Sequence, residues 1–187
     1  MRTPSVGPLP HQISRQVIVM GVSGCGKSTI GRSLAAIAQW PFGEGDDFHP
    51  PANVAKMHAG TPLTDEDRWP WLRTIAEWMR GEAAAGRSCV VTCSALKRAY
   101  RDLLGEGLPG ICFVHLHGEM RVLHDRMTAR SDHFMPATLL QSQFDALETL
   151  QPGESGVVLD VAADPDTLVR QALAWLVRTP VGAPVEE

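Results

Sequence analysis

The chain has 187 residues, a length that at roughly 100–200 residues per domain suits one domain around a single core. Hydrophobic residues make up 44% and charged residues 20%, which excludes a disordered chain and a disulfide-stapled miniprotein. The formal charge of −4, from 17 Lys+Arg against 21 Asp+Glu, argues against a nucleic-acid or anionic-membrane binder, which needs a basic excess.

In chain order, residues 1–15 are rich in Pro, Gly and Ser, lack periodicity and read as a tail with no apolar stretch suited to a secretory signal. QVIVMGV (16–22) then reads as a strand and 27–39 as a helix. A weak strand precedes Asp46, helices follow over 51–59 and 65–85, and SCVVTCS (88–94) is the next strand. Beyond it come a helix over 95–104, the strand ICFVHLH (111–117), helices over 119–130 and 136–148, the strand GVVLDV (156–161), a helix over 165–178 and a tail over 179–187. Thr64 with Asp67 three residues on resembles a capping box, Pro136 suits a first helical turn, and Asp164-Pro165 supplies a cap followed by proline. Strands that are nearly continuous in apolar character and alternate with helices imply an α/β fold, a parallel sheet sandwiched by helices, over one domain at 16–178. No apolar run approaches the roughly 18 residues that span a bilayer, and a cytoplasmic protein is expected.

The four cysteines, Cys25, Cys89, Cys93 and Cys112, fit reduced thiols. Cys89 and Cys93 lie on one strand about 13 Å apart, too far to share a zinc ion or form a disulfide, and read as core residues. His115 and His117 share a strand face, but no second ligand pair has the spacing to complete a metal site.

The chemistry begins after the first strand. GVSGCGKST, Gly21, Val22, Ser23, Gly24, Cys25, Gly26, Lys27, Ser28 and Thr29, satisfies the G-x-x-x-x-G-K-[ST] pattern at a strand-to-helix junction. The glycines let the backbone curl so that N–H groups point at phosphate oxygens, and the helix start adds its positive dipole end. Lys27 is expected on the β/γ-phosphates of ATP and the Ser28 hydroxyl on Mg²⁺. Cys25, at a variable loop position, reads as a small filler.

A phosphate loop alone leaves a small-molecule kinase, a nucleotide-dependent switch and a nucleic-acid motor open. Motors usually need more chain, and the third strand ends VVTCS without the carboxylate with which switches hold Mg²⁺. Carboxylates appear instead in PFGEGDDFHPP, as Glu44, Asp46 and Asp47, where a kinase would align an acceptor hydroxyl and help deprotonate it. Asp46 is the candidate base. Downstream lie His49, Asn53, Lys56, His58 and Arg68; the planar fork of Arg68 suits a carboxylate, while His49 and Lys56 suit hydroxyls. Trp69 and Trp71, beside this cluster, read as packing residues. In CSALKRAYRDLL, Ser94, Lys97 and Arg101 stand at a strand carboxyl end, and Lys97 and Arg101, four apart, are expected on one helix face toward an anionic acceptor. RMTARSDHF supplies Arg126 and Arg130, again four apart, and His133, in a segment around 126–136 expected to act as a lid that neutralises charge during transfer.

MGVSGCGKST, GDDFHPPANVAKMHAGTPLTDEDRWPWL, CSALKRAYRDLL and RMTARSDHFMPATLLQSQFDALETLQPGE together resemble the small bacterial gluconate kinases, from about residue 16 to 177. The phosphate loop is widely shared; the other three blocks are far more specific. The resemblance implies a nucleoside-monophosphate-kinase-like fold, commonly a homodimer, that moves the γ-phosphoryl group of ATP to the 6-hydroxyl of D-gluconate. It also implies that Asp46 faces the acceptor hydroxyl, that His49, Lys56 and Arg68 belong to the gluconate site, and that Arg126 and Arg130 are lid arginines. Shikimate kinases often carry Asp-x-Asp near the second strand, where this chain has Glu44-Gly45-Asp46. A shikimate-kinase-like or other sugar-acid kinase is the nearest alternative, and a non-catalytic nucleotide-binding regulator the alternative from another class. Of the 17 cations only Lys27, Lys56 and Lys97 are lysines, all inside these blocks, which suggests compact ammonium groups that meet phosphate or sugar oxygens in a locally basic cleft.

Overall fold

Residues 13–128 and 139–183 are described by a computed structural model. Residues 1–12 and 184–187, within the expected tails, and 129–138, which include Arg130, His133 and most of the expected lid, lie outside the described residues.

Five parallel strands form one sheet: β1 (Gln16–Met20), β2 (Phe42–Gly43), β3 (Cys89–Thr92), β4 (Ile111–His117) and β5 (Gly156–Asp160), in the order β2-β3-β1-β4-β5. Helices α1 (Lys27–Ala38), α2 (Pro51–His58), α3 (Asp65–Ala84), α4 (Arg98–Gly105), α5 (Met120–Thr128), α6 (Leu140–Ala146) and α7 (Pro165–Arg178) cover it, as the alternating sequence pattern requires. The chain leaves β1 for a strand on one side and later fills the other, so the crevice of the sheet opens at the carboxyl end of β1.

Both faces are dry because β1 is apolar on both. Val17 and Val19 join Ile30, Leu34, Val114 and Leu168 in one core, while Ile18 and Met20 join Leu72, Ile75, Met79 and Phe113 in the other. Close packing of α1 uses Gly31, where a Cβ would come within 3.0 Å of the Phe42 ring and the Thr92 methyl. The capping box forms: the Asp67 N–H donates to Thr64 Oγ1 at 3.3 Å and the Thr64 N–H to Asp67 Oδ2 at 2.9 Å. Asp164 caps α7 by accepting from the Thr167 N–H at 2.9 Å. All four cysteines are free and buried, and burial pushes Cys89, Cys93 and Cys112 up to about 12.

Boundaries shift where backbone and tertiary bonds intervene. The helix expected from 95 starts at Arg98, because Ala95 takes a positive φ of 45° and Lys97 is extended. The one expected to reach 148 stops at Ala146: Leu147 is extended and the Glu148 N–H donates to the Leu96 carbonyl at 2.8 Å. After β2 a short 3₁₀ turn over Gly45–Phe48, absent from the sequence reading, carries Asp46. Arg15, counted with the tail, accepts a hydrogen bond from the Cys89 N–H at 2.9 Å, and its guanidinium donates to the Thr179 carbonyl.

Candidate active site

The phosphate loop leaves β1 at Gly21 and ends where α1 begins at Lys27, so the helix N-terminus faces the crevice. Gly24, at φ 81°, lies so close to α5 that a Cβ would meet the Leu123 carbonyl at 2.9 Å. Lys27 Nζ donates to the Val22 carbonyl at 3.0 Å, within the loop itself.

One cleft joins this loop to the segment after β2. Ser23, Gly24, Gly26, Lys27, Ser28 and Thr29 form the phosphate side, and Glu44, Asp46, His49, Arg68 and Trp71 the opposite side. Thr92, Cys93 and Ser94, at the end of β3, close the floor, while Leu139, Ser142 and Gln143 supply a further wall. Asp46 is exposed to this space; Asp47 is exposed outside it. Val22 and Cys25 are buried behind the loop, and Cys25 borders a second recess with Thr29, Ile30, Val161 and Pro165. Arg126 lines that recess too, its Nη2 donating to the Val161 carbonyl at 3.0 Å, so it stands on the far side of the loop from Asp46.

The acceptor wall is a stack of supports. The Trp71 indole N–H donates to the Gly45 carbonyl at 2.7 Å, and the His49 ring stacks on Trp71 at 4.1 Å and 14°. Burial, and then the Arg68 guanidinium, pulls His49 down to about 4, so its imidazole is neutral at physiological pH. Trp71 thus packs, as expected, and also holds His49 and the turn that bears Asp46. Trp69 meets Tyr100 edge-on at 5.2 Å.

Arg68 is held at one remove. Its Nη1 donates to the Tyr100 hydroxyl at 3.2 Å, that hydroxyl donates to Asp65 Oδ1 at 2.5 Å, and Lys97 Nζ donates to both Asp65 oxygens at 2.8 and 2.9 Å. Three expected ligands are accordingly not brought to the cleft. Lys97 is paired with Asp65, since it precedes α4 instead of sharing its face with Arg101. Lys56 donates to both oxygens of Asp67 at 2.6 and 2.8 Å. Arg101 is a correction of a different kind: its side chain is 0% exposed, bound to Glu154 and to four backbone carbonyls, and it is a structural residue. The described lining therefore holds Lys27 and Arg68 against Glu44 and Asp46, a balanced cleft where a basic one was expected.

Two contributors were missed. Glu44, grouped in the sequence with its acidic neighbours but given no task, accepts from Arg32 Nη2 at 3.1 Å and from the Thr92 hydroxyl. Gln143 meets the phosphate loop itself, and its only sequence signal was its place in the family-like block LLQSQF.

Among the described residues no group of three or more His, Cys, Asp or Glu could hold a metal by itself. The oxygens lining the cleft are hard donors, the Ser28 hydroxyl on the phosphate side and the Glu44 and Asp46 carboxylates facing it, which fits Mg²⁺ brought in by nucleotide phosphates.

A phosphate loop at the switch point of a β2-β3-β1-β4-β5 sheet, with the acceptor segment entering after β2, defines a P-loop kinase. Residues 23–152 match the family model described as shikimate kinase. A gluconokinase of Gluconobacter oxydans (strain 621H) is 48% identical over 162 residues, 85% of this chain and 89% of that relative. The crystal structure of a gluconokinase from Sinorhizobium meliloti 1021 superposes with a TM-score of 0.79 at 49% identity, covering 89% of this chain and 94% of that one. An unliganded sugar kinase from Janibacter sp. HTCC2649 does so with a TM-score of 0.85 at 55% identity, covering 91% and 98%. The chain belongs to the gluconokinase family.

Proposed function

We propose that this protein transfers the γ-phosphoryl group of ATP to the 6-hydroxyl of D-gluconate, forming 6-phosphogluconate and ADP. The observation that carries the reading is the placement of Asp46 across one cleft from Lys27 and Ser28, with Arg68 and His49 beyond it. Asp46 orients the acceptor hydroxyl and takes its proton as the oxygen bonds to the γ-phosphorus and the bond to the β-phosphate oxygen breaks. The loop amides and Lys27 hold the phosphates and meet the charge that develops on them. Mg²⁺, held by the Ser28 hydroxyl and the phosphates, would supply further charge neutralisation. Arg68 suits the gluconate carboxylate, and neutral His49 can donate to one hydroxyl and accept from another.

On the nucleotide side Arg126 borders the second recess. A lid role for Arg130 rests on the sequence resemblance, the inclusion of His133 and a lid around 126–136 on the basic run RMTARSDHF, and a single domain over 16–178 on chain length and the strand–helix pattern. A homodimer rests on the resemblance, and a cytoplasmic location is supported by four free, buried thiols, which suit a reducing compartment. No helix among the described residues is long and apolar enough to cross a membrane.

The test is ADP release with D-gluconate present and absent, compared with shikimate, idonate and glucose. Gluconate-dependent ADP is expected. Preference for shikimate would move the chain to the sister activity, and ATP binding without acceptor-dependent turnover would make it a regulator.

A further inference from the structure

The phosphate loop works by turning its backbone N–H groups toward anions, yet the N–H of Ser23 is already engaged by a side chain from outside the loop. The Ser23 N–H donates to Gln143 Oε1 at 2.7 Å, and Gln143 Nε2 donates back to Ser23 Oγ at 3.3 Å. The two residues are 120 apart in sequence, and both are buried, at 8% and 7% exposure. Ser23 is the third residue of GVSGCGKS and lines the cleft; Gln143 lines the same cleft from α6.

The carboxamide suits this place chemically. An amide offers an acceptor to the backbone N–H and a donor to the hydroxyl at once, without charge. Glutamate would serve the N–H equally well but would set a carboxylate beside incoming phosphates. Alanine would leave a buried N–H without this acceptor and the mouth of the loop without this brace. α6 is itself anchored beyond Gln143, where the Glu148 N–H donates to the Leu96 carbonyl at 2.8 Å and the Glu148 carboxylate accepts from the Arg98 N–H at 2.6 Å. Gln143 therefore links the α6 wall of the cleft to a residue of the phosphate loop that lines the same cleft.

We propose that Gln143 is a positioning residue for phosphoryl transfer: through Ser23 it holds the mouth of the phosphate loop in register with the acceptor pocket, setting the distance between the γ-phosphate and the acceptor oxygen. The inference rests on the reading of this cleft as the acceptor site. It assigns Gln143 to the transfer step and not to nucleotide affinity.

The experiment compares wild type, Gln143→Ala, Gln143→Glu, Ser23→Ala and the Ser23→Ala/Gln143→Ala double variant. It measures kcat and KM for D-gluconate, Kd for ADP by calorimetry, ATP hydrolysis without acceptor, and thermal unfolding. Gln143→Ala is expected to lower kcat by about 10- to 100-fold while changing ADP Kd by less than about threefold, with a larger share of ATP lost to water. Gln143→Glu is expected to weaken ADP binding by about tenfold or more through its charge. Ser23→Ala in the Gln143→Ala background should add nothing further. Unchanged kcat in Gln143→Ala, or equal losses of kcat, ADP affinity and melting temperature, would overturn the proposal, the second outcome marking Gln143 as ordinary packing. A wild type indifferent to gluconate would instead overturn the proposed reaction, and the ADP affinity of Gln143→Glu would then decide whether Gln143 bears on the phosphate loop at all.

Discussion

Arg101 and Glu154 form a buried bidentate ion pair, with Arg101 Nε 2.6 Å from Glu154 Oε1 and Nη2 3.0 Å from Oε2. The remaining guanidinium donors cap the carbonyls of Ala95, Leu96, Glu148 and Thr149, so the pair ties the β3–α4 connection to the chain after α6. Arg101→Ala strands the Glu154 carboxylate, and a loss of about 3–5 kcal/mol is expected. Urea unfolding measures it. A normal denaturation midpoint with a raised gluconate KM would return Arg101 to the acceptor site.

Asp46 and Gly45 can be separated by two variants. Asp46→Asn keeps the shape and removes the base; turnover should fall about 10²–10⁴-fold with ADP affinity intact. Gly45→Ala keeps the Asp46 carboxylate, but its Cβ would stand 1.9 Å from the Thr92 carbonyl oxygen. The 3₁₀ turn must then move, and kcat should fall at least about tenfold by misplacement alone. Steady-state kinetics beside ADP calorimetry checks both, and near-normal turnover in Asp46→Asn would remove the base assignment.

Under the proposed reaction, the Tyr100 hydroxyl steadies the Arg68 guanidinium that meets the acceptor. Tyr100→Phe removes the hydroxyl that accepts from Arg68 and donates to Asp65. The gluconate KM should rise about 3- to 10-fold while the ATP KM stays put, with a larger rise for Arg68→Ala. A greater effect on ATP in either variant would place Arg68 on the nucleotide side.

Two histidines make stability fall on the acid side. Burial, followed by neighbouring charge, lowers both His49 and His115 to about 4 from 6.5, and neither ring nitrogen of His115 has a hydrogen-bond partner among the described residues. Between those values the unfolded chain binds protons that the native one does not, so stability is full above pH 6.5 and declines toward pH 4. Each residue contributes a slope of at most about 1.4 kcal/mol per pH unit. Urea midpoints measured from pH 7 to 4.5 test this, and His115→Leu should flatten the curve.

Much of the fold was legible because its signals are local. β1, the phosphate loop and α1 follow one another in a pattern that needs no distant partner, and the Thr64 and Asp164 caps act within a single turn. The 3₁₀ turn under Asp46 was not legible, because it depends on Gly45 fitting against Thr92, 47 residues away. Gln143 escaped notice for the same reason.

The lysines show the division most clearly. Sequence alone determined an α/β fold with a phosphate loop after its first strand and carboxylates after its second, since motif, periodicity and spacing are properties of neighbouring residues. It also marked Lys27, Lys56 and Lys97 as three compact cations in functional blocks. Only the tertiary structure decided that Lys27 stays with the phosphate loop while Lys56 goes to Asp67 and Lys97 to Asp65. A cation's task depends on which carboxylate or ligand lies within about 4 Å of it, and folding brings those partners in from distant parts of the chain.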